Sequence, residues 1–329
     1  MGHAGEIAPR GDVPRYRRIL DSLFDIKYIL SQEPLGGFYT NNIQGVNRYI
    51  NKNEYALPIG YVVNKYALSK NIDYSTTNYF ANTNIFLNSF LGYSPSDSGY
   101  TRYLAPIEYT TTLQNVSVLS EGQNFAQLEV RNPYYEGVVN LSFVSDSNQQ
   151  VYLNLNNGDS NESTIYVNGK KIGTYSSWDD PAIMNLGYFT EGESVVVSIK
   201  LDTNSSKLGN VQLYGLNQDE FSQAYETLDS QSMKNIKVTN ISISGTVDGV
   251  GSNDVLFLSV PYDKGWHAYI DGKEVSIEAV DGSFMAIKLN QGEQTVVLKF
   301  TPEGFDIGLI MTILSAIVLI YVFIRERKY

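Results

Sequence analysis

From residue 105 to residue 216, apolar and polar residues alternate along short segments that are separated by turns. Gly137–Val144 and Ser194–Leu201 place apolar and polar residues on opposite faces over part of their length. The turns are rich in asparagine, aspartate and glycine, as in Asn156–Asp159. Short strands at regular spacing with such turns are typical of a β-sandwich. The pattern therefore predicts a β-sandwich over 105–216.

A short helix and a second run of strands follow the predicted sandwich. Asn217 and Glu220 have the spacing of a capping box, and apolar residues recur at helical spacing after them. This predicts a connecting helix within 217–234. Residues 235–304 then return to strand-like segments, so we expect a second β-sandwich unit there.

The two β regions contain similar hairpins. Tyr166–Ile172 and Tyr269–Val275 each place Asn-Gly or Asp-Gly between residues that favour strands, and this is a strong hairpin signal. Each hairpin is followed by a Gly-Glu turn, at Gly192 and at Gly292, and then by an alternating strand. The similarity predicts two related sandwich units, although any two hairpins share some features.

The N-terminal part of the chain has a mixed pattern. We expect a flexible N-terminus over 1–13 and a small mixed α/β region over 14–104. The elements predicted in this region are a helix from Pro14 onwards, a strand at Lys27–Leu30, a strand at Glu54–Val63 broken at Pro58, and a helix over 82–91 ended by Gly92. The predicted fold is therefore mainly β, with one small α/β region.

The C-terminal segment predicts a transmembrane helix. Ile307–Ile324 contains no charged residue and no proline, and as a helix it would be about 27 Å long, enough to cross a bilayer core. We expect a membrane helix over 305–324 with Asp306 as its N-cap. A buried core helix, the alternative, would normally have a polar face, which this segment lacks.

The tail after this helix predicts its orientation. Residues 325–329 include Arg325, Arg327 and Lys328, and basic residues that flank a membrane helix are retained in the cytoplasm. The preceding domains would then be extracytoplasmic. The N-terminus has no signal-peptide-like apolar stretch, so we expect earlier membrane helices in a longer parent protein. The alternative is a tail-anchored cytoplasmic protein.

Composition excludes some classes of function. The formal net charge of −11 and the pI near 4.7 argue against nucleic acid as a partner. The chain has no cysteine, which excludes disulfides and thiolate metal sites, and its 2 histidines do not form a cluster that would bind a metal. His267 is the one histidine outside the N-terminal end, and we expect a surface or turn residue there instead of a catalytic base.

Several segments resemble one known family. Leu258–Lys273 contains Pro-Tyr-Asp-Lys-Gly-Trp followed by an Asp-Gly-Lys hairpin, and Thr301-Pro302 then precedes the membrane helix. This order is similar to the C-terminal signature of the YfhO family of bacterial membrane proteins. Asp21–Leu30, Glu54–Val63 and Asn84–Gly92 also look like family segments, so the resemblance extends over about 20–324.

The resemblance implies a polytopic glycosyltransferase of the GT-C type. Such enzymes take a sugar from a polyprenyl-phosphate carrier, and YfhO-like members are linked to glycosylation of teichoic acids. Partners would be the membrane, a cell-envelope glycopolymer and the missing N-terminal transmembrane portion of the same protein. The catalytic carboxylate of such enzymes lies in an early loop that is absent here, so no catalytic residue and no cofactor is assigned to this region.

Two clusters of aromatic and acidic residues are candidates for binding sugar. Sugar rings stack on aromatic faces, and sugar hydroxyls form hydrogen bonds with acidic side chains. The candidate residues are Trp178, Asp179 and Asp180 in one predicted loop, and Tyr262, Asp263 and Trp266 in the family signature. For the signature, a structural role is the favoured interpretation, with Gly265 in a turn and Trp266 packed on the sandwich. Trp178 lies in a loop-like stretch, where an exposed aromatic residue often has a function.

Three functional hypotheses follow. The region recognises the polymer acceptor of a membrane glycosyltransferase, it is a non-catalytic glycan-binding or adhesion module, or it is a scaffold for the membrane part. The sequence gives neither the sugar nor the acceptor.

Overall fold

The computed structural model describes residues 18–31, 34–45, 48–69, 78–121, 125–156, 162–176, 183–249, 251 and 254–327. The helices in these ranges are α1 (Arg18–Leu23), α2 (Tyr79–Leu91), α3 (Gln218–Asp229) and α4 (Phe305–Glu326). The strands up to the first sandwich are β1 (Tyr28–Ser31), β2 (Tyr39–Gln44), β3 (Tyr49–Asn53), β4 (Gly60–Asn64) and β5 (Leu104–Pro106). Those that follow are β6 (Thr110–Gln114), β7 (Val116–Glu121), β8 (Phe125–Val130), β9 (Gly137–Val144), β10 (Gln149–Asn156), β11 (Glu162–Val167), β12 (Lys170–Ser176), β13 (Ile183–Phe189), β14 (Ser194–Leu201) and β15 (Ser205–Asn217). The last group is β16 (Lys234–Val238), β17 (Ser242–Gly249), β18 (Asp254–Pro261), β19 (Trp266–Ile270), β20 (Lys273–Val275), β21 (Ile277–Val280), β22 (Phe284–Lys288) and β23 (Gly292–Phe300).

The chain forms two compact units. The first unit combines Met1–Leu57 with Asn71–Asp229, and the second combines Pro58–Lys70 with Ser230–Tyr329. The segment 14–104, expected to be one region, therefore contributes to both units. The connecting helix expected over 217–234 is α3, and Asn217 caps it by accepting hydrogen bonds from the backbone N–H groups of Asp219 and Glu220.

A β-sandwich forms most of the first unit. One sheet has the strand order β13-β10-β15-β8-β7, with β5 also paired to β15, and the other has the order β12-β11-β14-β9-β6. The alternation in β9 and β14 points one set of residues into the space between the sheets, where Leu141, Val197 and Leu153 are buried in one apolar cluster. The sandwich predicted over 105–216 is confirmed.

The mixed region of the first unit packs on this sandwich. It contains a three-stranded sheet of order β1-β3-β2 and the helices α1 and α2. Asn78 caps α2 through its side chain, and Gly92, in a left-handed conformation, ends the helix as its sequence predicts. The ring of Phe80 on α2 stacks on Tyr214 of β15, with a centroid distance of 4.1 Å.

A second, smaller sandwich forms the second unit. Its sheets have the strand orders β16-β17-β23-β19-β20 and β21-β22-β18-β4. Apolar residues of both sheets, including Val62 of β4, Leu256 of β18 and Val296 of β23, share one buried cluster. The expected fold, mainly β with two sandwich units, is confirmed. The predicted strand at Glu54–Val63 is wrong in part, because residues 54–55 form a turn and β4 begins only at Gly60, after Pro58.

Six strands of each sandwich are paired in the same order. In the first, the strands β9 to β14 pair as β12-β11-β14-β9 and β13-β10; in the second, β17 to β23 pair as β20-β19-β23-β17 and β22-β18. Both predicted hairpins are present, with left-handed residues Asn168-Gly169 and Asp271-Gly272 at their turns. These paired positive φ values are those of a type I′ turn, whose twist matches the flanking strands. The predicted relationship between the two units is thus borne out in strand order and in turn geometry.

The C-terminal helix α4 is long and apolar enough to cross a membrane, and it is the one such helix within the described ranges. Its N-cap is Gly304, at a φ of 83°, and no side chain caps it. The prediction that Asp306 would be the N-cap is therefore wrong, because the helix begins two residues before the apolar run and Asp306 lies in the first turn.

Candidate functional site

The first predicted sugar-binding group, Trp178, Asp179 and Asp180, lies outside the described residues. β12 ends at Ser176 and β13 begins at Ile183, so the group falls in the connection between these two strands. Its role in glycan binding stays a prediction.

The second predicted group, Tyr262, Asp263 and Trp266, lies in the turn between β18 and β19. Asp263 accepts a hydrogen bond of 2.7 Å from the backbone N–H of Gly265 through its carboxylate. The Trp266 ring is half-buried and packs on Phe300, with a centroid distance of 5.1 Å. Trp266 thus contributes to the sandwich core, which supports the structural interpretation, and Tyr262 is the more accessible ring, 40% exposed.

His267 is a surface residue on β19. Its Nδ1 lies 3.0 Å from Oε1 of Glu274 on the neighbouring strand β20, and both side chains are exposed. An exposed pair of this kind lacks the hydroxyl nucleophile and the buried carboxylate of a catalytic triad. Among the described residues, no three histidine, aspartate or glutamate side chains are grouped so that they could hold a metal ion.

The loop between β8 and β9 presents two tyrosines that sequence reasoning missed. Tyr134 is 91% exposed and Tyr135 is 71% exposed. Asn115, at a φ of 55°, fixes the loop, because its side-chain N–H groups donate to the carbonyls of Asn132 and Tyr135, each at 2.9 Å. Its side-chain oxygen in turn accepts from the backbone N–H of Asn132 at 3.0 Å. The two exposed rings therefore stand on an ordered loop, which we call the tyrosine loop (131–136).

The tyrosine loop borders a polar sheet face. We define the outer face as the solvent-facing side of β6, β9, β14 and β11; directly paired residues such as Thr112 and Asn140, or Asn140 and Ser198, share it. Its hydroxyl and amide side chains are Thr110, Thr112, Gln114, Asn140, Ser142, Ser194 and Ser198. Tyr166 of β11, opposite Ser198, adds an aromatic ring. The face thus combines neutral hydrogen-bonding groups and a ring surface with the apolar side chains of Val138, Val144 and Val196.

The outer face has a charged pair at one end and a groove at the other. Lys200 Nζ lies 2.6 Å from Oε1 of Glu136 in the tyrosine loop, and this hydrogen bond raises the pKa of Lys200, which stays cationic. The opposite end, where β9 reaches Val144, has an open groove of about 500 Å³ lined by Thr110, Ser142 and Val196 among others. From Gly137 to Val144 the strand runs roughly 23 Å, at 3.3 Å per residue.

These features suit binding more than catalysis. Hydroxyl and amide side chains exchange hydrogen bonds with sugar hydroxyls, and exposed tyrosine rings offer flat apolar faces to sugar C–H groups. The carboxylate of Glu136, near this face, is exposed and paired with Lys200, so its surroundings are those of a surface ion pair. Such an arrangement can exchange hydrogen bonds with a polar ligand and offer it apolar ring faces.

A buried polar cluster elsewhere in the first unit has a structural role. The guanidinium of Arg18 lies 3.6 Å from the centroid of the Tyr39 ring and donates to Gln150 Oε1 at 3.0 Å. Burial raises the pKa of the Tyr39 and Tyr152 hydroxyls, which therefore stay protonated. The adjoining cavity has a volume of about 20 Å³, room for a single water and not for a sugar.

The chain is similar in sequence to a known bacterial protein. The chain is 27% identical to the uncharacterized protein YfhO of Bacillus subtilis (strain 168) over 138 residues, which are 40% of this chain and 15% of that protein. The matched stretch is therefore a small part of that relative's length.

Solved structures resemble the chain only weakly. They include a cycloisomaltooligosaccharide glucanotransferase of Paenibacillus sp. (TM-score 0.24, 11% identity, 59% of this chain and 45% of that chain). A β-glucuronidase of Ruminococcus gnavus has a TM-score of 0.22 at 11% identity, over 61% of this chain and 44% of that chain. TM-scores this low carry no functional argument.

The family comparison covers most of the chain. The family model described as "Bacterial membrane protein YfhO" matches residues 13–312, which include both sandwiches, the Pro-Tyr-Asp-Lys-Gly-Trp segment and the start of α4. Together with the relative in Bacillus subtilis, this match establishes that the chain belongs to the YfhO family of bacterial membrane proteins.

Proposed function

We propose that this chain is the acceptor-recognition region of a membrane glycosyltransferase. The whole protein would transfer a sugar from a polyprenyl-phosphate carrier to a cell-envelope glycopolymer such as a teichoic acid. The chemistry would take place in the transmembrane portion that lies outside this chain. The first unit would hold the acceptor on the outer face and the tyrosine loop.

The observation that carries this proposal is the tyrosine loop itself. Its two adjacent tyrosines are exposed and present apolar surface to a ligand. Because Asn115 already holds the loop in place, the loop loses little conformational entropy when a ligand binds. They border a face of hydroxyl and amide side chains, and Arg131 adds a positive charge that suits the phosphates of a teichoic acid, whereas the charge of Lys200 is paired with that of Glu136. A strongly anionic chain without such local cations would repel the polymer.

The proposal includes an orientation. The basic residues after α4 support a cytoplasmic tail and extracytoplasmic sandwiches, in agreement with an acceptor outside the cell.

Calorimetric titration of the chain in detergent with teichoic acid fragments tests the proposal. We expect saturable binding that weakens at least tenfold, about 1.4 kcal/mol, when Tyr134 and Tyr135 are both changed to alanine. Tyr28→Ala is the matched control, because Tyr28 is also exposed (63%) but lies on β1, in a different sheet from the strands of the outer face. Its affinity is expected to equal that of the unchanged chain.

Other outcomes are equally informative. Binding that survives the double substitution but is lost in Trp178→Ala would place the site in the connection between β12 and β13. Absence of binding at millimolar ligand would reject acceptor recognition for this region.

A scaffold role is the second candidate, and the signature segment supports it. The carbonyl of Gly265 accepts a 2.9 Å hydrogen bond from the backbone N–H of Thr301, which lies between β23 and α4. This bond links the most characteristic family segment to the start of the membrane helix, and not to a ligand site.

A further inference from the structure

The second sandwich is joined to the membrane helix by a short, constrained segment. β23 ends at Phe300 and α4 begins at Phe305. The intervening residues 301–304 can span at most about 14 Å. The Thr301 backbone N–H donates to Gly265, and the Phe305 N–H donates to the Pro302 carbonyl at 3.1 Å, so the segment is held at both ends. One end of the sandwich must therefore lie close to the start of the helix.

Strand register identifies the turns at that end. Ser242 pairs with Lys299, Trp266 pairs with Phe300, and Pro261 pairs with Phe284. The turns 239–241, 262–265 and 281–283 are therefore at the same end as Phe300, which we call the helix-proximal end. The Phe300 N–H also donates to the carbonyl of Ile241 at 2.8 Å, so the first of these turns is bonded directly to the last strand.

Exposed apolar side chains are concentrated at the helix-proximal end. In the part of the second sandwich that the structure describes, the large apolar residues that are exposed are Val238 (60%), Ile241 (64%) and Tyr262 (40%), and all three lie there. The opposite end instead presents Asp248, Asp271 and the turn before Glu293. Folding does not require this difference between the two ends, because the side chains of Val238, Ile241 and Tyr262 are exposed and do not enter the core.

We propose that the helix-proximal end of the second sandwich is embedded in the lipid headgroup region, with Val238, Ile241 and Tyr262 inserted as interfacial anchors. The occupant is a lipid surface because only residues 301–304, which span at most about 14 Å, separate the helix-proximal end at Phe300 from the membrane helix α4. Tyrosine favours the membrane interface, where its ring is apolar and its hydroxyl is wet. The inference rests on α4 spanning the membrane and does not depend on glycosyltransferase activity.

The charges around these anchors are mixed, which indicates that apolar insertion, and not attraction to anionic lipid, holds the surface in place. Lys237, Lys264 and Lys299 are exposed beside the anchors, while Asp281 and Glu303 carry the opposite charge. Lysine side chains can extend from an interface to water along their apolar stems. Binding to the interface is therefore expected to persist at high salt.

Depth-dependent quenching in a bilayer tests the proposal on the full chain. The sequence contains no cysteine, so Ile241→Cys can carry a single environment-sensitive fluorophore. The chain is inserted in phosphatidylcholine nanodiscs, one chain per disc, with and without a lipid that carries a nitroxide near its headgroup. Asp248→Cys is the matched control, since it is exposed on the same strand β17, at its other end, about 20 Å from Ser242. Ile317→Cys in α4 reports whether the helix is inserted.

We expect the nitroxide to reduce the fluorescence at position 241 at least twofold and to leave that at position 248 unchanged. Equal quenching at 241 and 248 would overturn the proposal, and so would a label at 317 that the bilayer does not shield from water. The label at 241 could instead show a spectral shift only when a disc holds several chains, with no quenching by the nitroxide lipid. That result would assign the surface to a second copy of the chain and would reject a lipid contact.

Discussion

At the scale of single residues, the contacts of Gly265 explain why this chain has a glycine in its Asp263–Trp266 segment. Its N–H donates to the Asp263 carboxylate and its carbonyl accepts from Thr301, so the residue lies between the turn and the segment that leads to α4. A Cβ at this position would lie 2.6 Å from the carbonyl oxygen of Thr301 and 2.8 Å from the Phe300 ring. The Thr301 oxygen belongs to the backbone and cannot turn away as the end of a flexible side chain could, so close approach, and not an unusual backbone angle, requires glycine.

Gly265→Ala is expected to destabilise the second sandwich by about 2 kcal/mol, as overpacked sites do. Thermal unfolding followed by tryptophan fluorescence measures it, because Trp266 lies in the affected turn. Gly251→Ala is the control, since a Cβ there meets its nearest atoms, those of Asp254, at 3.6 Å, an ordinary contact. A melting temperature of Gly265→Ala equal to that of the control would mean that the turn can shift without loss.

At the scale of elements, the two hairpins use the same connection to a neighbouring strand. The Asn168 backbone N–H donates to the carbonyl of Val196 on β14 at 2.9 Å, and the Asn168 side-chain oxygen accepts from the Val196 N–H at 2.8 Å. Asp271 does the same with Thr295 of β23, where the side-chain bond is 2.9 Å. The similarity of the two sandwiches thus extends beyond the turn residues to a specific pair of hydrogen bonds.

The equivalence predicts that asparagine and aspartate are interchangeable at these positions. Asn168→Asp and Asp271→Asn keep an oxygen acceptor and a residue tolerant of positive φ, so each is expected to change the free energy of unfolding by less than about 0.5 kcal/mol. Asn168→Ala and Asp271→Ala lose both and are expected to cost about 1–2 kcal/mol each. Denaturant unfolding of the four variants measures this. If the alanine variants are as stable as the exchanges, the side-chain bonds do not fix the hairpins.

The sequence predicted these hairpins because their signals are local. Asn-Gly and Asp-Gly dipeptides determine a turn by their own backbone preferences, and alternation determines which face of β9 or β14 is buried. The tyrosine loop was missed for the opposite reason. Asn132-Pro133 marks a turn before Tyr134, yet the exposure of the rings depends on Asn115, fifteen or more residues earlier, whose role appears only once β7 and β8 are paired.

At the scale of the whole molecule, the chain crosses between its units in a way that the sequence does not reveal. β4, from the N-terminal half, pairs with β18 as the edge strand of the second sandwich, almost two hundred residues later. Tyr61 is fully buried and its ring lies 5.3 Å from that of Phe257. The predicted domains were contiguous, because hydrophobic patterning identifies a strand but not its partner in a distant part of the chain.

This topology predicts that residues 230–329 cannot form the second sandwich alone. Without β4, the edge of β18 and the buried side chains Leu256 and Leu258 lose their cover, so we expect a polypeptide of 230–329 in detergent to lack a cooperative melting transition and near-ultraviolet circular dichroism. Joining 58–70 to its N-terminus by a flexible linker is expected to restore both signals.

The same fusion with Val62→Asp serves as the control, because it keeps the length but places a charge in the core, and it is expected to stay unfolded. A cooperative transition in 230–329 alone would mean that this part of the second sandwich folds without β4. The segment that crosses between the units would then be a surface addition to the second sandwich, and the contiguous boundary near residue 235 would describe how that unit folds. If the fusion restores the melting transition and the near-ultraviolet signal, and the Val62→Asp variant does not, then β4 is an integral part of the core of the second sandwich.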